Sequence, residues 1–241
     1  MGYDLNTIQS EYWSDLDERL ETLKREGFVK LPSIGFFDLE EVACRITEEM
    51  TNVTFKELGK HHASFLKLLG TEANLAPKLY EYAVKEFGYG GSALDAYHVA
   101  RRVEPGNSRE MYRAHFDSHL FTLVLPIQIP TAPQGATAGE LIYFPDSRAN
   151  PTSEWSNFVG KASFKRYASK RGIEVFSKKS TRREENFSDY SPMLFLGRTT
   201  LHTNRAVSKH CSKYRLTLLA HYFDPSPRIG LGAFLRRLRR R

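Results

Sequence analysis

From Tyr97 to Phe223, short apolar runs recur between turn signals: Tyr97–Val103, Phe121–Ile129, Leu141–Phe144, Met193–Leu196 and Leu216–Phe223, with Met111–Asp117 as a more polar member. Runs this short and this rich in β-branched and aromatic residues read as strands buried on both faces. Turn residues such as Pro105-Gly106-Asn107 separate them, and no long helical pattern intervenes, which predicts a sandwich or jelly roll. The first third differs. Residues 8–26 repeat Leu16, Leu20 and Leu23 along one helical face up to Gly27, and Phe28–Leu31 is a short strand stopped by Pro32. Asp38 is placed to cap a helix carrying Leu39, Val42 and Ile46, and residues 56–70 and 73–87 read as two more helices, the second closing at Gly88.

The expected organisation is one domain, mainly β with N-terminal helices. Residues 1–92 form a helical support, 93–225 a β core with a polar insertion at about 147–190, and 226–241 a basic amphipathic tail. No apolar run reaches the 18 residues or so that suggest a membrane span, and Met1-Gly2-Tyr3-Asp4 opens no secretory signal. Cys44 and Cys211 form no CxxC and are expected as buried thiols in a reducing cytoplasm.

Within the β series, His115-Phe116-Asp117 puts an imidazole and a carboxylate on the same side of an extended segment. His202, after the Met193–Leu196 run and Gly197, supplies a distant second imidazole. Two histidines and one carboxylate form a facial set for Fe(II), leaving other positions open for substrate and O2. The HxD pair alone is a weak signal in a chain with eight histidines. His119, His210 and His221 are rival ligands. However, His115, Asp117 and His119 on one straight strand would splay too far, His210 sits in a polar loop, and no arginine follows His221 at a comparable distance. Arg215 opens the apolar run Leu216–Ala220, where an unpaired charge is costly. Its guanidinium needs an anion, either an internal carboxylate or an acidic co-substrate, and Thr217 shares its face.

The order His-x-Asp, distant His, then Arg-x-Thr resembles the Fe(II)/2-oxoglutarate-dependent dioxygenases of the double-stranded β-helix (jelly-roll) fold, in particular their phytanoyl-CoA-dioxygenase-like branch. Gly139–Pro145 is similar to that family's strand before the insertion, and Gly27–Pro32 to its entry strand. The resemblance implies iron on His115, Asp117 and His202, and the distal carboxylate of 2-oxoglutarate on Arg215 and Thr217. It also implies a hydroxylation that releases succinate and CO2; halogenating relatives lack the carboxylate that Asp117 provides. Tyr97, Arg101, Tyr112 and Asn204 are expected near the iron or the substrate, or else on a polar strand face.

Charge points to the substrate. Lys161–Arg183 holds nine basic residues against Glu174 alone, and Arg228–Arg241 six arginines with no acid, in a chain of net charge +7. Leu231, Phe234, Leu235 and Leu238 share one helical face, with Arg236, Arg237, Arg239 and Arg240 beside it. Such a helix suits an anionic membrane surface at the inner face of the membrane. The expected substrate is therefore an anionic small molecule or lipid-linked compound: a lipid, a lipopolysaccharide sugar or an acyl derivative. A nucleic-acid-directed oxygenase or demethylase ranks lower, because the second arginine of the RxNxTxR pattern is missing after Arg215. A non-catalytic basic binding protein on the same fold is the remaining alternative.

Overall fold

The computed structural model describes residues 5–50, 53–58, 64–108, 111–151 and 153–226, so the basic tail with Arg236, Arg237, Arg239 and Arg240 lies outside the described residues. The first residues form α1 (Leu5–Tyr12) and α2 (Leu16–Glu26), two helices where the periodicity predicts one. Gly27, at φ 76°, closes α2 in the left-handed region that glycine reaches without a Cβ clash. Then come β1 (Phe28–Lys30) and α3 (Leu39–Glu49), whose cap Asp38 accepts a hydrogen bond from the Glu41 N–H. The segment 56–70 corrects its predicted helix: β2 (Phe55–Glu57) precedes a short α4 (Ser64–Leu68). A π-helical turn at Thr71–Leu75 leads into α5 (Ala76–Phe87).

The β core follows with β3 (Ala96–Val103), β4 (Phe121–Gln128) and β5 (Leu141–Phe144). After the insertion come β6 (Arg183–Glu185), β7 (Met193–Leu196), β8 (Leu201–Asn204) and β9 (Arg215–Tyr222). Among the described residues these make two antiparallel sheets, ordered β1-β7-β4-β9-β3-β2 and β6-β5-β8. Met111–Asp117 is not a regular strand as predicted. It rides on β8 through an isolated bridge between His115 and His202.

Alternation along each strand assigns its two faces. Leu216, Leu218, Ala220 and Tyr222 of β9, with Phe121, Leu123, Leu125 and Ile127 of β4, pack on the N-terminal helices. Val124, Phe195 and Met193 meet Leu141 and Tyr143 between the two sheets. Ile142, Phe144 and Leu201 face the other way, toward the insertion. The polar insertion carries two helices. It contains α6 (Glu154–Phe164), a 3₁₀ turn at Lys165–Tyr167 and α7 (Lys170–Ser177), with Ser153 and Ser169 as N-caps. Tyr167, Ile173 and Phe176 seat it on the small sheet beside Ala114 and Phe116. Cys211 is buried as expected, but Cys44 is exposed.

Phe176 contacts Phe144 edge-on at 4.9 Å and Tyr167 at 4.8 Å. Phe176→Ala should therefore cost about 3–5 kcal/mol, measured by chemical denaturation. A loss under about 1 kcal/mol would mean that the insertion does not depend on this contact.

Candidate metal centre and cavity

His115 and His202 exchange backbone hydrogen bonds, N to O at 3.0 and 3.1 Å, so the HxD segment is fixed directly across from β8. The Asp117 N–H donates to the Gly197 carbonyl at 2.9 Å. Glycine is required at 197 because a Cβ there would lie 2.8 Å from the His119 carbonyl oxygen and 3.0 Å from the Asp117 Cβ. Ala114 and Phe116 point outward into the cluster under the insertion. His115 and Asp117 therefore point inward, by the predicted period of two.

The ligand atoms converge. Nε2 of His115 lies 3.6 Å from Oδ1 of Asp117, and Nε2 of His202 lies 3.7 Å from Oδ2. One atom from each of the three side chains falls within 4.8 Å of the others. Donors about 2 Å from a shared first-row ion are separated by roughly 3–4 Å, so the spacing fits a metal. The tautomers fit as well. His115 Nδ1 is 2.7 Å from the Arg113 carbonyl and His202 Nδ1 is 3.2 Å from that of Thr200. A carbonyl only accepts, so each Nδ1 carries the proton and each Nε2 turns a lone pair inward.

Electrostatics favour the same state. Burial depresses both imidazole pKa values, keeping the rings neutral; His202 adds to this at His115 and His221 adds to it at His202, with Asp117 only partly offsetting them. The His202 side chain is 10% exposed and that of His115 51%, its ring facing the cavity. Burial opposes the charge on Asp117, but the imidazoles of His202, His221 and His115 and the Thr122 hydroxyl outweigh it and hold the carboxyl well below its usual range. The set is two neutral nitrogens and one carboxylate, suited to a borderline divalent ion.

Behind the carboxylate stands a relay that sequence reasoning missed. Thr122 of β4 is paired directly with His221 of β9. The His221 Nδ1–H donates to Thr122 Oγ1 at 3.0 Å, and that hydroxyl donates to Asp117 Oδ2 at 2.5 Å. His221 is thus a support for Asp117 and not the distal ligand. His119 stacks on His221 at 5.3 Å and on Tyr97 at 6.0 Å, outside the ligand cluster. The available signal was Thr122, the one polar residue in the buried run Phe121–Ile127 of β4. Thr122→Val should weaken metal binding by about 10–100-fold with the fold intact, and Thr122→Ser should restore it. Equal affinity in all three proteins would reduce Thr122 to a packing residue.

A cavity of about 800 Å³ opens on the ligands, lined from both sheets and from α6. Arg215, Thr217 and His221 all face it from β9. Arg215 is 3% exposed and makes no hydrogen bond or ion pair among the described residues. Its guanidinium lies 5.7 Å from the Phe187 ring, and Gly139, at φ 85°, lets its Cδ pass where a Cβ would come within 2.9 Å. Burial and then Arg101 push its pKa down to about 9, with Glu140 only partly offsetting them. The alternative of an internal ion pair is not realised among the described residues. Arg215 is a buried cation facing an open cavity, so an anion fits there.

The other predicted residues divide. Arg101 and Asn204 line the cavity and are joined at 2.9 Å, with the Asn204 amide donating to the Gly139 carbonyl at 3.2 Å. Tyr97 lies behind the ligands, stacked on His221 at 6.0 Å. Tyr112, at φ 53°, packs outward against the insertion cluster.

No family model matches the chain, and no curated protein does. In fold it is similar to a prolyl-4-hydroxylase from Pseudomonas putida, with TM-score 0.52 and 12% identity over 86% of this chain and 98% of that one. It is similar also to the non-haem α-ketoglutarate-dependent epimerase SnoN from nogalamycin biosynthesis, with TM-score 0.53 and 14% identity over 88% and 84%. The non-haem α-ketoglutarate-dependent carbocyclase SnoK of the same biosynthesis gives TM-score 0.53 and 15% identity over 91% and 90%. The chain thus shares one architecture with a hydroxylase, an epimerase and a carbocyclase, at an identity so low that the likeness is one of fold.

Proposed function

We propose that this chain is a non-haem Fe(II)- and 2-oxoglutarate-dependent oxygenase that hydroxylates an anionic substrate, and that its two sheets form the jelly-roll core of that superfamily. One observation carries the reading: the inward atoms of His115, Asp117 and His202 converge, with both Nδ1 atoms committed to backbone carbonyls. Arg215, with no ion pair among the described residues, and the neighbouring Thr217 are the groups to hold the distal carboxylate of 2-oxoglutarate. His115, Asp117 and His202 would hold a ferrous ion, which with 2-oxoglutarate and O2 would supply the oxidising equivalents, succinate and CO2 being the co-products.

The chain's own residues position and exclude. Arg215 presents a planar fork to a carboxylate in a desolvated setting, where a charge-assisted hydrogen bond is strong. Phe195, Leu219, Val124 and Leu141 wall the cavity with apolar surface and limit water there. The cavity is far larger than a five-carbon diacid needs, which leaves room for a second molecule beside the ligands. The three similar enzymes catalyse different reactions, so the position of the substrate's carbon decides the outcome. Hydroxylation is proposed because Asp117 fills the position that halogenating relatives leave open. The anionic lipid, lipopolysaccharide sugar and acyl derivative remain the substrate classes proposed, at the inner membrane surface. Succinate release by the purified chain with Fe(II), 2-oxoglutarate and a panel of these anions is the test. Turnover with none of them, together with no metal binding, would remove the proposal.

A further inference from the structure

We infer that Lys161 of α6 is the anchor for an anionic group of the substrate, a carboxylate or a phosphoryl group, at the end of the cavity away from Arg215. The assignment rests on the oxygenase reading for what the cavity does, but the anion site stands on its own geometry.

Charge balance motivates it. Arg101, Arg113, Lys161, Lys165 and Arg215 line the cavity, whereas Asp117 is its one carboxylate among the described residues. A metal on Asp117 and a diacid on Arg215 would still leave Lys161 without a counter-ion among the described residues. Lys161 lies at a separate end. Its Nζ donates to the Ser118 hydroxyl at 3.0 Å, one residue beyond Asp117, whereas Arg215 packs on Gly139. Lys161 is half-buried and has no ion pair among the described residues. One hydroxyl satisfies one of its three ammonium protons, and an ammonium left so poorly paired away from water is costly unless an anion completes it.

The surroundings hold it there rather than neutralise it. Arg148 stacks on Phe116 at 4.0 Å and donates to Asn157 Oδ1 at 2.9 Å and to the Arg198 carbonyl at 2.7 Å. These contacts fasten α6 over the small sheet and add like charge near Lys161. Burial lowers the Lys161 pKa, Asp117 partly offsets this, and Arg148 and Arg198 reinforce it. Phe164 and Lys165, on the next turn, line the same wall. The substrate that fits carries an anionic group against Lys161 and an apolar portion against Phe164, with the carbon to be oxidised toward the ligands.

Calorimetric titration of the full chain with inorganic phosphate, and in parallel with acetate, tests the site. At least one anion should bind, and Lys161→Met, which keeps the aliphatic stem, should weaken it by at least about tenfold, the effect of losing one charge-assisted hydrogen bond. Lys161→Arg should keep affinity within about threefold, and in an Arg215→Met background, where the other buried cation is gone, binding that depends on Lys161 should persist. No binding to the wild type, equal binding to Lys161→Met, or loss confined to Arg215→Met overturns the assignment. Anion affinity that tracks Lys161 in a chain that binds no metal or 2-oxoglutarate would support this site while removing the oxygenase reading. The reverse result would remove this site alone.

Discussion

Asp117→Ala is expected to lose Fe(II) binding by more than about 100-fold and to release no succinate, because removing a ligand exceeds the 10–100-fold typical of losing a ligand's hydrogen-bond partner. The carboxylate is the one anionic donor between two neutral imidazoles, so its loss removes both a bond and the charge that favours a divalent ion. The substitution also leaves the Thr122 hydroxyl proton without its acceptor. His202→Ala should match it, since His202 supplies one of the two inward nitrogens. Mn(II) titration of the folded variants measures the effect without turnover. Unchanged affinity in both would mean that the cluster is not the metal site.

Arg215→Met should separate two quantities that usually fall together. Affinity for 2-oxoglutarate should drop by about 100-fold or more, as expected when one partner of a buried, hydrogen-bonded charge pair is truncated. The free protein, however, should keep or gain stability. Arg215 has no ion pair among the described residues, and replacing an uncompensated buried charge by an apolar side chain of similar length is neutral or stabilising by about 1–4 kcal/mol. Melting temperatures without ligand and calorimetric titration with 2-oxoglutarate give the two readings. Destabilisation of the free variant would mean that Arg215 is paired internally, and unchanged affinity would move the co-substrate elsewhere.

Much of the β core could be read from residue order, because strands buried on both faces keep their apolar runs whatever their partners. Phe121–Ile129 and Leu216–Phe223 became β4 and β9 within a few residues. The site was legible where it depended on local alternation. His115 and Asp117 point inward because Ala114 and Phe116 have a hydrophobic cluster to fill on the other side, even without a regular strand. The burial of a lone arginine also followed from the apolar run behind it. What depends on register was not legible. Thr122 and His221 are 99 residues apart, and only the β4–β9 pairing sets one against the other. The insertion misled through composition: its lysines and arginines mask Ile173 and Phe176, which share a face only once α7 is drawn as a helix. Residues 56–70 lacked a capping signal strong enough to show that β2 pairs with β3.

Anaerobic titration of the full chain with Fe(II), followed by 2-oxoglutarate, is the most direct measurement of the central claim. The side-chain geometry predicts equimolar iron and, on adding the diacid, a visible charge-transfer absorption that disappears in Asp117→Ala. In Arg215→Met that absorption should need far more diacid to form. Equimolar iron binding that survives the loss of Asp117 and His202 alike, or no iron binding by the folded wild type, would contradict it.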